Sequence, residues 1–194
     1  MVAPYAPYEA VSGMELIEAA KAKGTRFIQL QFTDIMGVVK AVTIPIHQLE
    51  GSVRHGTWFD GSSVEGFTRI AESDQYLMPD MRTFSEIPWS RGTSARVICD
   101  VYTPRGEPVA GDPRYVLRRQ VERAKELGYI VNMGPELEFF LFRRGEDGSI
   151  SPLTHDRAGY FDFSTDLAQE IRQDMVDALQ AFDINVEAAH HEVA

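Results

Sequence analysis

Residues 25–44 read TRFIQLQFTDIMGVVKAVTI. Ile28, Leu30 and Phe32 alternate with Gln29 and Gln31, a period of two that puts the apolar side chains on one face of a strand. Asp34 to Gly37 supplies turn residues, and Val38 to Ile44 reads as the returning strand, stopped by Pro45. The stretch therefore predicts a hairpin. Upstream, Ser12 and Glu15 stand in capping-box spacing before an apolar stripe of Leu16, Ile17 and Ala20, and Gly24 is placed to end that helix. A helix running into a hairpin predicts an α+β fold.

Downstream, Gly51 to Gly66 (GSVRHGTWFDGSSVEG) is rich in glycine and polar residues, and reads as a long loop anchored by Trp58 and Phe59. Arg96 to Tyr102 is strand-like, and the Pro- and Gly-rich stretch from Pro104 to Pro113 reads as a linker. A boundary near residue 105 follows, giving domains 1–105 and 106–194. Asp112 and Pro113 are an N-cap and first helical residue, and that helix runs to Leu127 before Gly128. Tyr129 to Phe142 reads as a strand interrupted at Gly134–Pro135, with Phe139 to Phe142 expected in the core. Arg143 to Ser149 is a polar turn. Asp166 and Gln169 open a second helix with Leu167, Ile171, Met175, Ala178, Leu179 and Phe182 on one face. Ile184 to Ala194 is a further strand candidate. Because the chain stops inside that element, it reads as part of a longer protein.

Composition narrows the function. Of 194 residues, 44% are hydrophobic and 25% charged, which is ordinary for a globular protein. A formal net charge of −10 argues against a sequence-independent grip on nucleic acid. No apolar run approaches the ~20 residues that span a bilayer. The single cysteine, Cys99, excludes an internal disulfide and fits a reducing compartment. The N-terminal residues lack a basic segment followed by an apolar one, so the expected location is cytoplasmic.

Three stretches could carry chemistry. In GPELEFFLF (134–142), a strand would place Glu136 and Glu138 on one side, about 7 Å apart. Next to buried aromatics they would need a shared proton, basic partners or a divalent cation; at a solvated strand end, facing Arg143 and Arg144, they would need none. In VEAAHHEVA (186–194), His190 and Glu192 would share one strand face and Glu187 and His191 the other. Such residues can bind Mn²⁺ or Zn²⁺, or simply occupy a core or edge. In FDGSS (59–63), Asp60 before Gly61 is either a turn residue or a loop carboxylate able to hold a cation or accept a proton. No phosphate-binding P-loop, dinucleotide glycine fingerprint or nucleophile elbow is present.

Taken in order, FTD (32–34), FDGSS (59–63), ESD (72–74) with LMPD (77–80), GPELEFF (134–140), GYF (159–161) and VEAAHHEVA (186–194) resemble the blocks of glutamine synthetases, the prokaryotic type I family most. The resemblance runs from about residue 15 to the last residue. It implies a small β-grasp-like N-terminal domain followed by the beginning of an α/β catalytic domain. The implied reaction is ATP-dependent ligation of ammonium to L-glutamate through a γ-glutamyl phosphate. Carried over by resemblance, Glu136 corresponds to a ligand of the Mg²⁺ or Mn²⁺ nearer the ATP phosphates, and Glu138 and Glu192 to ligands of the metal nearer glutamate. Glu187 corresponds to a nucleotide contact. Asp60 resembles the loop aspartate that binds and deprotonates ammonium, with Ser63, Tyr160 and Glu192 building its pocket and Asp74 a further acid near it.

The resemblance also implies self-association into a ring, usually a double hexamer, with the loop reaching a neighbouring subunit's site. Phe67 stands where some members have Trp. Family members are more than twice this length, so the expectation is that these residues alone do not turn over. Two other readings remain open: a non-catalytic homologue that joins or regulates a synthetase ring, and a relative that ligates glutamate to an organic amine.

Overall fold

In the computed structural model, which describes residues 10–64, 74–151 and 157–192, the hairpin forms where the alternation places it. β1 (Phe27–Thr33) pairs antiparallel with β2 (Val39–Pro45), Leu30 opposite Val42. Asp34 closes the turn by accepting from the backbone N–H of Met36 and of Val38, each at 2.9 Å. That bonding gives the FTD block a local structural reason. α1 (Ala10–Ala22) precedes the hairpin and buries Ile17 and Ala20. Since the helix includes Ser12, the predicted capping box is not its start.

The predicted loop from Gly51 to Gly66 is largely ordered structure. α2 (Leu49–His55) seats Leu49, which is fully buried, and β3 (Thr57–Asp60) leads into a 3₁₀ turn at Gly61–Ser63. Its apolar residues are too few for a periodic signal, and tertiary packing supplies what local pattern lacks. Opposite β3 lies β4 (Asp74–Glu86), a strand the motif reading did not identify. Pro79 argues against a strand in sequence, but it sits past the end of β3, where β4 has only β5 (Ser94–Tyr102) beside it.

The five strands make one sheet in the order β2-β1-β5-β4-β3, with β1 and β5 parallel and the other neighbours antiparallel. One face carries Ile28, Leu30, Phe32, Leu77, Ala95, Val97, Cys99 and Val101, packed with Ile17 and Leu49 from the helices. Burial pushes the Cys99 thiol well above its ordinary value, so it is a core residue rather than a nucleophile.

α3 (Pro113–Glu126) follows, capped by the fully buried Asp112, which accepts from Arg114 N (3.0 Å) and from Val101 N (3.4 Å). The helix buries no residue of its own, so its attachment is polar. Arg114 reaches Asp80 (2.7 Å) and Asp100 (2.9 Å), Arg118 pairs with Asp100, and Arg82 forks onto Asp80 at 2.7 and 2.8 Å. Burial pushes the Asp80 carboxyl up, but the hydrogen bonds and charges of Arg82 and Arg114 outweigh it and hold the group at about 2.

The chain forms two compact units, Met1–Val131 and Asn132–Ala194. In the second, α4 (Gln169–Ala181) is the helix predicted from Asp166 and Gln169; its Ile171, Met175 and Leu179 are exposed. A tight turn at residues 145–148 joins Arg144 and Ile150 in an isolated bridge. The two strands predicted over Tyr129–Phe142 and from Ile184 do not form among the described residues. A strand needs a neighbour to take its backbone groups, and neither segment has a ladder. Phe139, Phe140 and Phe142, predicted buried, are exposed for the same reason: no layer covers them.

Candidate functional site

Asp60 ends β3 and caps the following turn. Its Oδ1 accepts from Ser62 Oγ (2.7 Å) and Ser62 N (2.9 Å), and those bonds hold the carboxyl below the ordinary aspartate range. The turn reading is met, and the capped carboxylate remains exposed. Ser63 closes the same turn and is also exposed. Across the ladder Asp60 faces Asp74. Like charges directly opposite one another on a sheet are unfavourable without a cation. Sequence spacing could not show that pairing, since the two residues are far apart in the chain. Glu72, Ser73 and Phe67 lie outside the described residues.

In the second unit one phenol meets one of the other candidates directly. Tyr160 donates from its hydroxyl to Glu192 Oε1 at 2.7 Å. That hydrogen bond, then burial, then the charges of Glu192, Glu138 and Glu136 raise the hydroxyl above its ordinary value. Glu192 thus contacts the phenol directly, while Glu138 and Glu136 act on it only through their charges. The His190 ring stands 5.1 Å from Tyr160 and 4.8 Å from Phe161. Phe161 itself holds φ at 62°, a left-handed conformation costly for an aromatic residue. Its N–H donates to the carbonyl of His191 at 3.2 Å, and its ring meets Tyr160 edge-on at 4.3 Å. Nothing in the sequence marks that conformation.

Behind this cluster a groove of about 450 Å³ runs between α4 and residues 186–191, lined by Phe161, Asp166, Arg172, Glu187 and His191. Asp166 accepts from Ala168 N (2.9 Å) at the start of α4 and pairs with Arg172 one turn in, and the Arg172 hydrogen bond above all holds its carboxyl at about 2. Glu187, predicted as a nucleotide contact, lies on this groove and not at the phenol.

Glu136, Glu138 and Glu192 offer carboxylate oxygens, the donors that Mg²⁺ and Mn²⁺ take. Among the described residues, however, no three His, Cys, Asp or Glu side chains stand close enough to hold a metal. The donor chemistry fits, but the described geometry does not close a cage. Asp60, Ser63 and Asp74 belong to the first unit, and Glu136, Glu138, Tyr160, Glu187 and Glu192 to the second. No helix among the described residues is long and apolar enough to cross a membrane.

Two family models match the chain: "Glutamine synthetase, beta-Grasp domain" over residues 24–104 and "Glutamine synthetase, catalytic domain" over 110–194. A glutamine synthetase of Thermus thermophilus is 53% identical over 187 residues, covering 93% of this chain and 42% of the relative. One of Halobacterium salinarum is 49% identical over 183 residues, covering 92% of this chain and 40% of the relative. Among solved structures, a Plasmodium falciparum glutamine synthetase superposes with a TM-score of 0.69 at 18% identity, covering 94% of this chain and 42% of its own. A GmaS structure in complex with ADP gives 0.65 at 22%, covering 86% of this chain and 38% of its own. At those identities the structural likeness speaks for the fold. The chain spans about two fifths of the length of the relatives it matches.

Proposed function

This chain belongs to the glutamine synthetase family, and on that premise we propose that it supplies the ammonium-binding loop and the first carboxylates of an ATP-dependent glutamate–ammonia ligase. The division of labour follows residues 1–105 and 106–194. The observation that supports the reading best is the hydrogen bond from the Tyr160 hydroxyl to Glu192, with the charges of Glu138 and Glu136 acting on the same phenol.

In this reading ammonium is drawn to negative charge and loses a proton to Asp60, which its turn keeps ionised and therefore able to accept. Asp74, opposite it, adds to the field that selects a cation. Ser63 lines the pocket. Tyr160 orients Glu192 through its hydroxyl, and Glu136, Glu138 and Glu192 contribute oxygens toward divalent metal. Bound metal supplies positive charge against the oxygens of a transferring phosphoryl group. Glu187 meets the nucleotide. As the family resemblance implies, the enzyme works as a closed ring of subunits in which the Asp60 loop reaches a neighbouring subunit's site.

The test is a chimaera in which this chain replaces the corresponding part of the Thermus thermophilus relative. We expect ATP-, glutamate- and ammonium-dependent glutamine formation, lost in Glu138→Gln, and none from the 194 residues alone. A chimaera that assembles into rings yet makes no glutamine, or turnover by the isolated and mass-verified chain, would overturn the reading.

A further inference from the structure

Gly61 follows Asp60, and its backbone does not explain why it is glycine. Its φ is not among the positive ones, so an L side chain meets no strain there. The reason is steric. A Cβ at residue 61 would lie 2.6 Å from both Cδ and Oε1 of Gln75 and 3.1 Å from its Cγ. Real Cβ atoms essentially never stand at 2.6 Å from another heavy atom, and the obstacle is a side chain with little room to retreat, since Gln75 is only 3% exposed.

Gln75 is itself unusual. It sits on the core face of β4, in register with Phe59 of β3, where an apolar residue would be expected. Its Oε1 is buried and has no hydrogen-bond partner among the described residues. A buried polar group left unpaired is destabilising, so its presence calls for a reason other than stability. The reason on view is its neighbour: the amide forms the floor beneath Gly61, and Gly61 joins Asp60 to Ser62, the two ends of the hydrogen bonds that fix the carboxylate.

We propose that Gln75 is a positioning residue for Asp60: its buried amide, packed against the bare Cα of Gly61, sets where the turn rests and so where the carboxylate points. The inference goes beyond, but rests on, the reading of Asp60 as the group that receives ammonium. Its logic is complementary volume. A methyl added at 61 lifts the turn from its floor, shortening residue 75 removes the floor, and doing both restores the fit.

The experiment is a carbon-13 NMR titration of the Asp60 carboxyl in the full 194-residue chain, with the core amides of Val97 and Cys99 as the control for folding. In the parent chain Asp60 titrates below the ordinary aspartate range. Gly61→Ala breaks its bonds to Ser62 and shifts the midpoint upward, and Gly61→Ala with Gln75→Ala brings it back. If Gly61→Ala does not fold, the comparison passes to Gln75→Ala, where loss of the floor shifts the Asp60 midpoint upward and an unshifted midpoint overturns the proposal. An unshifted Gly61→Ala, or a double variant no closer to the parent than Gly61→Ala, overturns it. The titration needs no turnover. A restored double variant beside an inactive chimaera would therefore count against the function and leave the positioning role standing.

Discussion

Replacing Asp80 with Asn should destabilise the first unit by an amount that depends on pH in a defined way. In the parent the carboxyl is held at about 2 against an ordinary 3.8. A drop of nearly two units, at ~1.36 kcal/mol per unit, corresponds to about 2.5 kcal/mol favouring the folded state. Asp80 is buried, but its partner Arg82 is half exposed, and screening there reduces the figure to about 1–2 kcal/mol. The sign follows from linkage: a depressed carboxyl stabilises above its unfolded value and loses that contribution as pH falls from about 4 toward 2. Both tryptophans, Trp58 and Trp89, lie in the first unit, so their fluorescence follows its unfolding alone. In urea, Asp80→Asn should lower the midpoint near neutral pH by roughly 0.5–1 M, taking a slope of ~2 kcal/mol/M, and the gap should close near pH ~2. Equal midpoints at neutral pH, or a gap that persists undiminished in acid, would refute the assignment of α3's attachment to this network.

Other substitutions probe different parts of the argument. Leu30→Ala empties a fully buried position in β1 and should cost about 2–5 kcal/mol by the same urea assay. Asp112 separates cap from charge. Asp112→Ala should cost about 1–3 kcal/mol through the lost cap and the stranded Val101 N–H. Burial raises the Asp112 carboxyl above its unfolded value, so its ionisation opposes folding at neutral pH, and Asp112→Asn should be at least as stable as the parent there, with the advantage fading in acid. At the phenol, Glu192→Gln should bring the Tyr160 titration down toward the ordinary tyrosine value, read as tyrosinate absorbance against a Tyr160→Phe control.

What could be read in advance follows a physical divide. The hairpin, β5 and helices α3 and α4 carry periodic apolar positions or caps of their own, and local rules find them. β3 and β4 carry no such signal, since their identity depends on each other and, for Pro79, on where a neighbouring strand ends. The strands expected around GPELEFF and HHEVA failed for the converse reason: their pattern is strand-like, but a strand is a relation between two segments. At the candidate site the residues were legible as an ordered set of motifs, and the hydrogen bond between Tyr160 and Glu192 was not. Nor were the Asp60–Asp74 pairing and the Gln75 floor, because each depends on register and on nearness across the fold.

The order of strands bears on how the chain becomes a protein at all. β5 lies between β1 and β4, yet it is the last of the five to leave the ribosome. Until residues 94–102 emerge, β1 has only its hairpin partner, and β3 with β4 forms a second ribbon with no sheet to join. Two marginal ribbons must wait, with Leu30 and Leu77 unprotected, for one insertion that unites them. The nascent chain is thus most vulnerable to aggregation before residue 102, and a ribosomal pause or a break placed ahead of β5 would expose it longest.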